Sequence, residues 1–360
     1  MECEDIFSRH YFPLKPLTNS EKDFPIAFAR IVYRDYYFLE TELATNYQPQ
    51  NFYCYAIDKK SKKIFHEQIK NLSKCFPNVF FTKKEYAVDS AGHFMNIAHL
   101  ECIKLLNEFK WKYVVLLQNH DFAIKTNAEM VQIFKWLNGT NDVELRKLPK
   151  KRIDKTYNYT FEDLKLFKNE TRNSISFNGF PPQLNFAKGY VESSLSKEMV
   201  NFMLNEMDLT ELLIRLNKRG FGVDEIFIPT LQATEALNIP GGFFHRCIDK
   251  MGGNIHFTRK SSWNGANCQS KILRHGICVY GLEDLIVLEN YPQIFANKMI
   301  QDVDFGAYIC WSERMFNRTF NENRLDPIET LNATIYLEHP AVRYNRERHL
   351  PNFDPEKFQC

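Results

Sequence analysis

Four short runs of consecutive apolar residues stand out in the first third of the chain. Pro25-Ile26-Ala27-Phe28-Ala29-Arg30-Ile31-Val32-Tyr33, Phe52 to Asp58, Val79-Phe80-Phe81 and Tyr113 to Leu117 all have strand length. Runs that do not alternate with polar residues mark strands buried on both faces. Between them, residues 61–74 and 91–109 carry the three-to-four-residue apolar spacing of helices. Buried strands alternating with helices predict an α/β fold, with a mostly parallel central sheet flanked by helices. Ligands of such sheets bind beyond the carboxyl ends of the strands. That singles out Asp58 and Asn119-His120-Asp121 before any motif is considered.

The pattern changes after residue 137. Residues 138–178 are polar and basic, with Lys147 to Lys151 interrupted only by Leu148 and Pro149, and predict a long loop region. Apolar patterning resumes at Leu184-Asn185-Phe186, and helices are predicted over 196–205 and 207–218. Residues 259–276, rich in Ser, Asn and Gly, predict another loop. Prolines 327, 340, 351 and 355 predict a tail that wraps the surface. No repeat or linker divides the chain, so one large domain is expected, with segments 1–22, 23–137, 138–325 and 326–360.

Composition narrows the function classes. The 360 residues carry 46 basic and 44 acidic side chains, and no cationic field suited to a phosphate backbone exists. No apolar stretch is long enough to span a bilayer, and 31 Phe with 17 Tyr exclude disorder. None of the nine cysteines forms a CxxC pair, which argues against zinc ribbons and thioredoxin-type chemistry. Sequons occur at Asn71, Asn138, Asn158, Asn169, Asn317 and Asn332. The opening Met1-Glu2-Cys3-Glu4-Asp5 is no signal peptide. The chain is then either intracellular or preceded by a membrane anchor outside this stretch.

GxGxxG, Walker A, GxSxG and HExxH motifs are absent. His93 and His99, six apart on a predicted helix, face apart and make a poor metal pair. Asp302-Val303-Asp304 has the form of a manganese-holding DxD but reads better as a turn. Asp224 is a plausible N-cap for a helix beginning at Glu225, and a glutamate fixed at a helix start beside a loop suits a general base. Pro229 falls inside that predicted helix and should shorten it.

Several ordered stretches carry a resemblance. Asp23-Phe24-Pro25-Ile26-Ala27, Tyr47-Gln48-Pro49-Gln50-Asn51-Phe52-Tyr53-Cys54, Trp111-Lys112-Tyr113, Asp121 to Asn127, Val223-Asp224-Glu225, Cys278-Val279-Tyr280-Gly281 and Phe295-Ala296-Asn297-Lys298 resemble the core-2/I-branching N-acetylglucosaminyltransferases (glycosyltransferase family 14). The resemblance implies a GT-A-type glycosyltransferase fold and an inverting, metal-independent enzyme. It implies UDP-N-acetylglucosamine as donor, β1,6 transfer to a galactose- or GalNAc-containing glycan, no cofactor, and a Golgi-lumenal catalytic domain of a type II membrane protein. Residues 23–137 would then be the nucleotide-sugar-binding half and 138–325 the acceptor-binding and catalytic half.

By the same resemblance Glu225 is the base, and Arg274 with Lys298 neutralises the departing diphosphate in place of a metal. Ile31, Tyr33, Asp58 and Ser90 match donor contacts. Glu144, Arg152 and Lys155 match acceptor contacts, with the two basic types exchanged, and Trp263 matches an acceptor-facing aromatic. The cysteines would pair as Cys3–Cys75, Cys54–Cys102 and Cys268–Cys278. Cys247 would serve Cys310, leaving Cys360 free. Two alternatives stand beside this reading: a protein O-xylosyltransferase using UDP-xylose, and a catalytically dead, glycan-binding relative.

Overall fold

The protein is described by a computed structural model over residues 2–177, 179–218, 220–248, 256–321 and 327–360. Its strands, in chain order, are β1 (Ile26–Val32), β2 (Phe52–Ile57), β3 (Val79–Phe81), β4 (Tyr113–Leu117), β5 (Asp121–Ala123), β6 (Arg146–Lys147), β7 (Ala187–Lys188), β8 (Ser194–Ser196), β9 (Arg259–Ser261), β10 (Leu273–Arg274), β11 (Ile277–Cys278) and β12 (Phe295–Asn297). The central sheet has the order β3-β2-β1-β4-β8, parallel throughout except for the edge pair β4–β8. Because β8 comes from beyond residue 138, both halves of the chain build one sheet.

The four apolar runs are strands for the reason their pattern suggested. In β1, Ile26, Phe28 and Val32 enter the core on one face, while Ala27, Ala29 and Ile31 enter the core on the other. In β4, Tyr113, Val115 and Leu117 alternate with Val114 and Leu116 in the same way. Small side chains on the second face let the helix Met95–Leu106 pack onto β1 and β2. Arg30, the one charge inside the β1 run, is buried; its Nη1 donates to Asp121 O at 2.7 Å and its Nη2 meets Glu42 at 3.4 Å. Glu42 in turn accepts from the Ala123 amide at 3.0 Å, so this buried pair ties the central sheet to β5. There β5 begins a second sheet, β5-β12-β9, which extends the fold toward the carboxyl ends of the central strands.

The helices Lys63–Lys74, Lys197–Asn205 and Thr210–Asn217 fall where periodicity places them. The segment 138–178 is mostly loop, carrying β6 and the short helices Phe161–Leu164 and Glu170–Asn173. Two expectations are corrected. The helix expected from Glu225 begins only at Phe227 and runs to Ala233, and Asp224 is not its cap. Pro229 thus lies in the first turn, where a missing amide proton costs no intrahelical bond.

The tail does not merely wrap the surface. Its helix Pro340–Glu347 and the residues beyond it enter the core, with Tyr344 at 3.9 Å from the Phe244 ring and Phe358 at 5.7 Å. Aromatic burial there outweighs the prolines.

That packing decides a cysteine pairing. The disulfides are Cys3–Cys75, Cys54–Cys102, Cys268–Cys278 and Cys247–Cys360. The expected Cys247–Cys310 bond does not form and Cys360 is not free, because the aromatic cluster delivers Cys360 to Cys247. Cys310 is the exposed thiol on the helix Phe305–Phe320. Since Cys247–Cys360 closes a 113-residue separation, Cys360→Ser should lower unfolding stability by roughly 2–4 kcal/mol under non-reducing conditions. Cys310→Ser should leave it within about 0.5 kcal/mol of the parent. Denaturant melts of the two variants check the pairing, and equal losses would refute it.

The sequon asparagines Asn138, Asn158, Asn169 and Asn332 are exposed, and Asn71 and Asn317 are half-buried. Asp302-Val303-Asp304 is a turn whose Asp304 caps the helix Phe305–Phe320, Oδ1 accepting from the Ala307 amide at 2.8 Å and Oδ2 from the Leu282 amide at 3.0 Å. His93 bonds Asp89 and His99 bonds the Leu117 carbonyl, so neither faces the other. Among the described residues no helix is long and apolar enough to cross a membrane.

Candidate active site

Glu225 is fixed by its backbone from both sides. The Val223 amide donates to Ala91 O at 3.2 Å, Asn96 Nδ2 donates to Val223 O at 3.3 Å, and the Gly189 amide donates to Glu225 O at 2.9 Å. Its side chain stays 30% exposed. Arg152 Nη1 donates to Glu225 Oε2 at 2.6 Å, and Lys188 Nζ donates to the same oxygen at 3.4 Å. Oε1 has no hydrogen-bond partner among the described residues, and so is left to accept from a bound molecule. Gly222 makes the Arg152 contact possible. Its φ is +63°, and a Cβ there would lie 1.8 Å from Arg152 Nη2.

A strip of polar groups continues from this carboxylate. Lys188 pairs across the β6–β7 ladder with Arg146, whose Nη2 donates to Glu144 Oε1 at 2.6 Å. Burial pushes the Glu144 carboxyl up, against the opposing charges of Arg146 and Lys188. Beyond them Trp263 Nε1 donates to Tyr190 Oη at 2.5 Å, and the indole remains 41% exposed. Of the expected acceptor contacts, Arg152 thus bonds Glu225 directly and Glu144, itself buried, joins it through Arg146 and Lys188, with Trp263 further along on Tyr190. Lys155 does not join them: it is exposed and makes no ion pair among the described residues.

The expected donor contacts lie at the carboxyl ends of β1, β2 and β4. Tyr33 follows β1 and is half-exposed, with its amide donating to Asn119 Oδ1 at 2.7 Å. Asp58 follows β2; its Oδ1 accepts from the Lys60 amide at 3.0 Å. Lys60 Nζ also donates to Val88 O, which draws the exposed Ser90 loop toward Asp58. Ile31, expected as a donor contact, has its side chain buried in the core.

Above this edge stands the Arg274 hairpin. His275 and Gly276 both take positive φ, +53° and +75°, between Arg274 and Ile277, the two-residue turn that matches strand twist. The disulfide Cys268–Cys278 and the buried Asp284, which accepts from the Gln269, Ser270 and Gly281 amides, hold its base. Asp35 feels Arg274. Although burial raises this carboxyl, the 2.6 Å bond to His120 and the charges of His120, Arg34 and Arg274 hold it below its usual range.

Lys298 leaves β12 on the same side. Burial, then the charges of Arg259 and Arg274, lower its ammonium to about 8, against the pull of Asp121 and Glu192. Arg274 and Lys298 thus lie close enough for Arg274 to act on the Lys298 charge, and the bridge from Trp263 to Ile277 joins the Arg274 hairpin to the polar strip that leads from Glu225. Sequence reasoning missed Arg146, Lys188, Tyr190, Glu192 and Arg259. Each is a single polar residue in or beside a short strand, a position with no local signature. Asp224 was read only as a cap; burial, with the Glu225 charge second, raises its carboxyl to about 6.

The known proteins that this chain is similar to agree with one another. The model of the Core-2/I-Branching enzyme family matches residues 26–289. Over 327 residues the chain is 31% identical to Homo sapiens beta-1,3-galactosyl-O-glycosyl-glycoprotein beta-1,6-N-acetylglucosaminyltransferase 3, covering 87% of this chain and 73% of that protein. It is 30% identical to Homo sapiens N-acetyllactosaminide beta-1,6-N-acetylglucosaminyl-transferase, covering 89% and 79%, and 29% identical to the Mus musculus protein of the same name, covering 90% and 80%. The family match takes in the whole central sheet and Glu225, and the likeness to these relatives extends over nearly nine-tenths of the chain. The protein is a hexosyltransferase and belongs to the Core-2/I-branching enzyme family.

Proposed function

We propose that this enzyme has a GT-A-type fold and transfers N-acetylglucosamine from UDP-N-acetylglucosamine to a galactose- or GalNAc-containing glycan, in β1,6 linkage and with inversion. The observation that carries this reading is Glu225, a part-exposed carboxylate anchored through Oε2 by Arg152 and Lys188 while its Oε1 has no partner among the described residues; Arg274 and Lys298 are the neighbouring cations that it enlists. In the reaction Glu225 Oε1 takes the proton of the acceptor hydroxyl as that oxygen attacks the anomeric carbon. The bond to the diphosphate breaks on the opposite face, and Arg274 with Lys298 receives its growing charge, so no metal is needed. Tyr33, Asp58 and Ser90 line the donor side through the loops beyond the strands, a placement usual for sheets of this kind. Glu144, Arg152 and Trp263 line the acceptor side, Trp263 offering a face for a sugar ring; Lys155 reaches a larger acceptor, and Ile31 contributes backbone only.

The names of the relatives support the donor and the linkage. Four disulfides suit an oxidising lumen, and the Golgi, with the chain as the catalytic domain of a type II membrane protein and some of its sequons occupied, fits that chemistry. The test is UDP release from UDP-N-acetylglucosamine in EDTA, with galactose-β1,3-GalNAc as acceptor. Acceptor-dependent release is expected. Activity only after added manganese would overturn the metal-free clamp, and release from UDP-xylose but not from UDP-N-acetylglucosamine would overturn the donor. Glycan binding with no release from either would overturn catalysis itself.

A further inference from the structure

Glu192 is a charge where the chain's pattern calls for none. It lies in Tyr190-Val191-Glu192-Ser193-Ser194-Leu195, just before β8, and is 1% exposed. A carboxyl taken this far from water is costly unless something compensates it. Its partner is Arg259 of β9, whose Nη1 lies 2.5 Å from Glu192 Oε1 and 3.4 Å from Asp121 Oδ1 of β5. Asp121 Oδ1 also accepts from Asn297 Nδ2 of β12 at 2.7 Å. Asn297 faces Asp121 on one side of β12 and Ser261 on the other, and Lys298 is the next residue. The guanidinium therefore sits across the three strands from whose end Lys298 emerges, and Glu192 is the group that holds it from outside them.

We infer that Glu192 is a positioning residue of the leaving-group clamp: through Arg259 it fixes the strand end that carries Lys298 and keeps the Arg259 charge from displacing that of Lys298. This rests on the reading of Lys298 given above. Lys298 is faced by Arg259 of β9, Arg274 of β10, Asp121 of β5, Glu192 and, beyond β4, His120. Arg259 and Arg274 oppose its charge; Asp121 and Glu192 favour it. Burial, aided by Asp121 and Asp224 and opposed by Arg259, pushes the Glu192 carboxyl up, while burial lowers the Lys298 ammonium. The negative charge of Glu192 favours the Lys298 cation on the alkaline side, where Lys298 would otherwise lose its proton. Each ion stabilises the other. Glu192→Gln removes that support, so Lys298 should lose its proton at lower pH.

The experiment is calorimetric titration of UDP into the purified enzyme between pH 6.5 and 9, for the parent, Glu192→Gln, Glu192→Asp and Lys298→Arg. Parent affinity should fall on the alkaline side. Glu192→Gln should bind within about twofold of the parent at pH 6.5 but at least about threefold more weakly at pH 8.5, the alkaline limb moving to lower pH. Glu192→Asp should restore most of the parent profile, and Lys298→Arg, always charged, should lose the limb. A general packing defect would weaken binding equally at all pH values. A Glu192→Gln profile superimposed on the parent's overturns the inference alone, as does a limb that survives Lys298→Arg. No UDP binding by the parent overturns the proposed function, and the inference with it.

Discussion

Glu225→Gln is expected to lower kcat by about 10²–10⁴-fold with both substrates saturating, while UDP affinity stays close to the parent's. The replacement is nearly isosteric and keeps an oxygen for Arg152 Nη1, now 2.6 Å from Oε2. It takes away the capacity to accept a proton. The backbone bonds from Gly189 and to Gly222 do not involve the side chain, so the loop should keep its shape. A cut in kcat without a matching loss of donor affinity identifies an interaction made in the transition state. Arg152→Ala offers a contrast. It leaves the base present but held by the longer Lys188 contact alone, and should raise the acceptor KM as well as lower kcat. Near-normal turnover by Glu225→Gln would remove the base from the mechanism, whatever the enzyme's acceptor.

The difference between what was legible and what was not follows the range of the forces involved. β1 to β4 were readable because burial on both faces leaves a continuous apolar run in one short window, as in Tyr113 to Leu117. The start of the helix at Phe227 was not, because Asp224 is occupied elsewhere. Its Oδ1 lies close enough to Gly92 that a Cβ there would come within 2.0 Å of it, a tertiary contact that overrides the local preference for a cap. The tail was misread for a similar reason: its prolines are local, whereas Phe358 and Tyr344 find Phe244 only in the fold. The site divides the same way. Val223-Asp224-Glu225 and Phe295 to Lys298 could be recognised from their own letters. Glu192 and Arg259 acquire meaning only when β5, β9 and β12 bring them together.

Lys298→Ala should cost about 10²–10³-fold in kcat, the loss found when one fixed donor to a developing negative charge is removed. The diphosphate is already charged when bound, so the ammonium acts before the reaction as well as during it. Only the extra charge that builds as the glycosidic bond breaks adds to kcat; the rest sets donor affinity. Both kcat and UDP affinity should therefore fall, and kcat/KM more than either. Arg274→Ala should cost less. Arg274 is on a two-residue hairpin arm with Asp35 nearby, whereas Lys298 leaves the end of a buried strand, where the dielectric is lower and each charge counts for more. The pH profile gives an independent check. With Lys298 lowered to about 8 by burial and its cationic neighbours, protonated enzyme predominates below pH 8, and kcat should fall as pH rises through that value. Lys298→Arg should flatten this alkaline fall and retain part of the activity, since a guanidinium keeps its charge across the range. Should Lys298→Ala match the parent in both kcat and UDP affinity, the leaving-group clamp would have to be rebuilt around Arg274 alone.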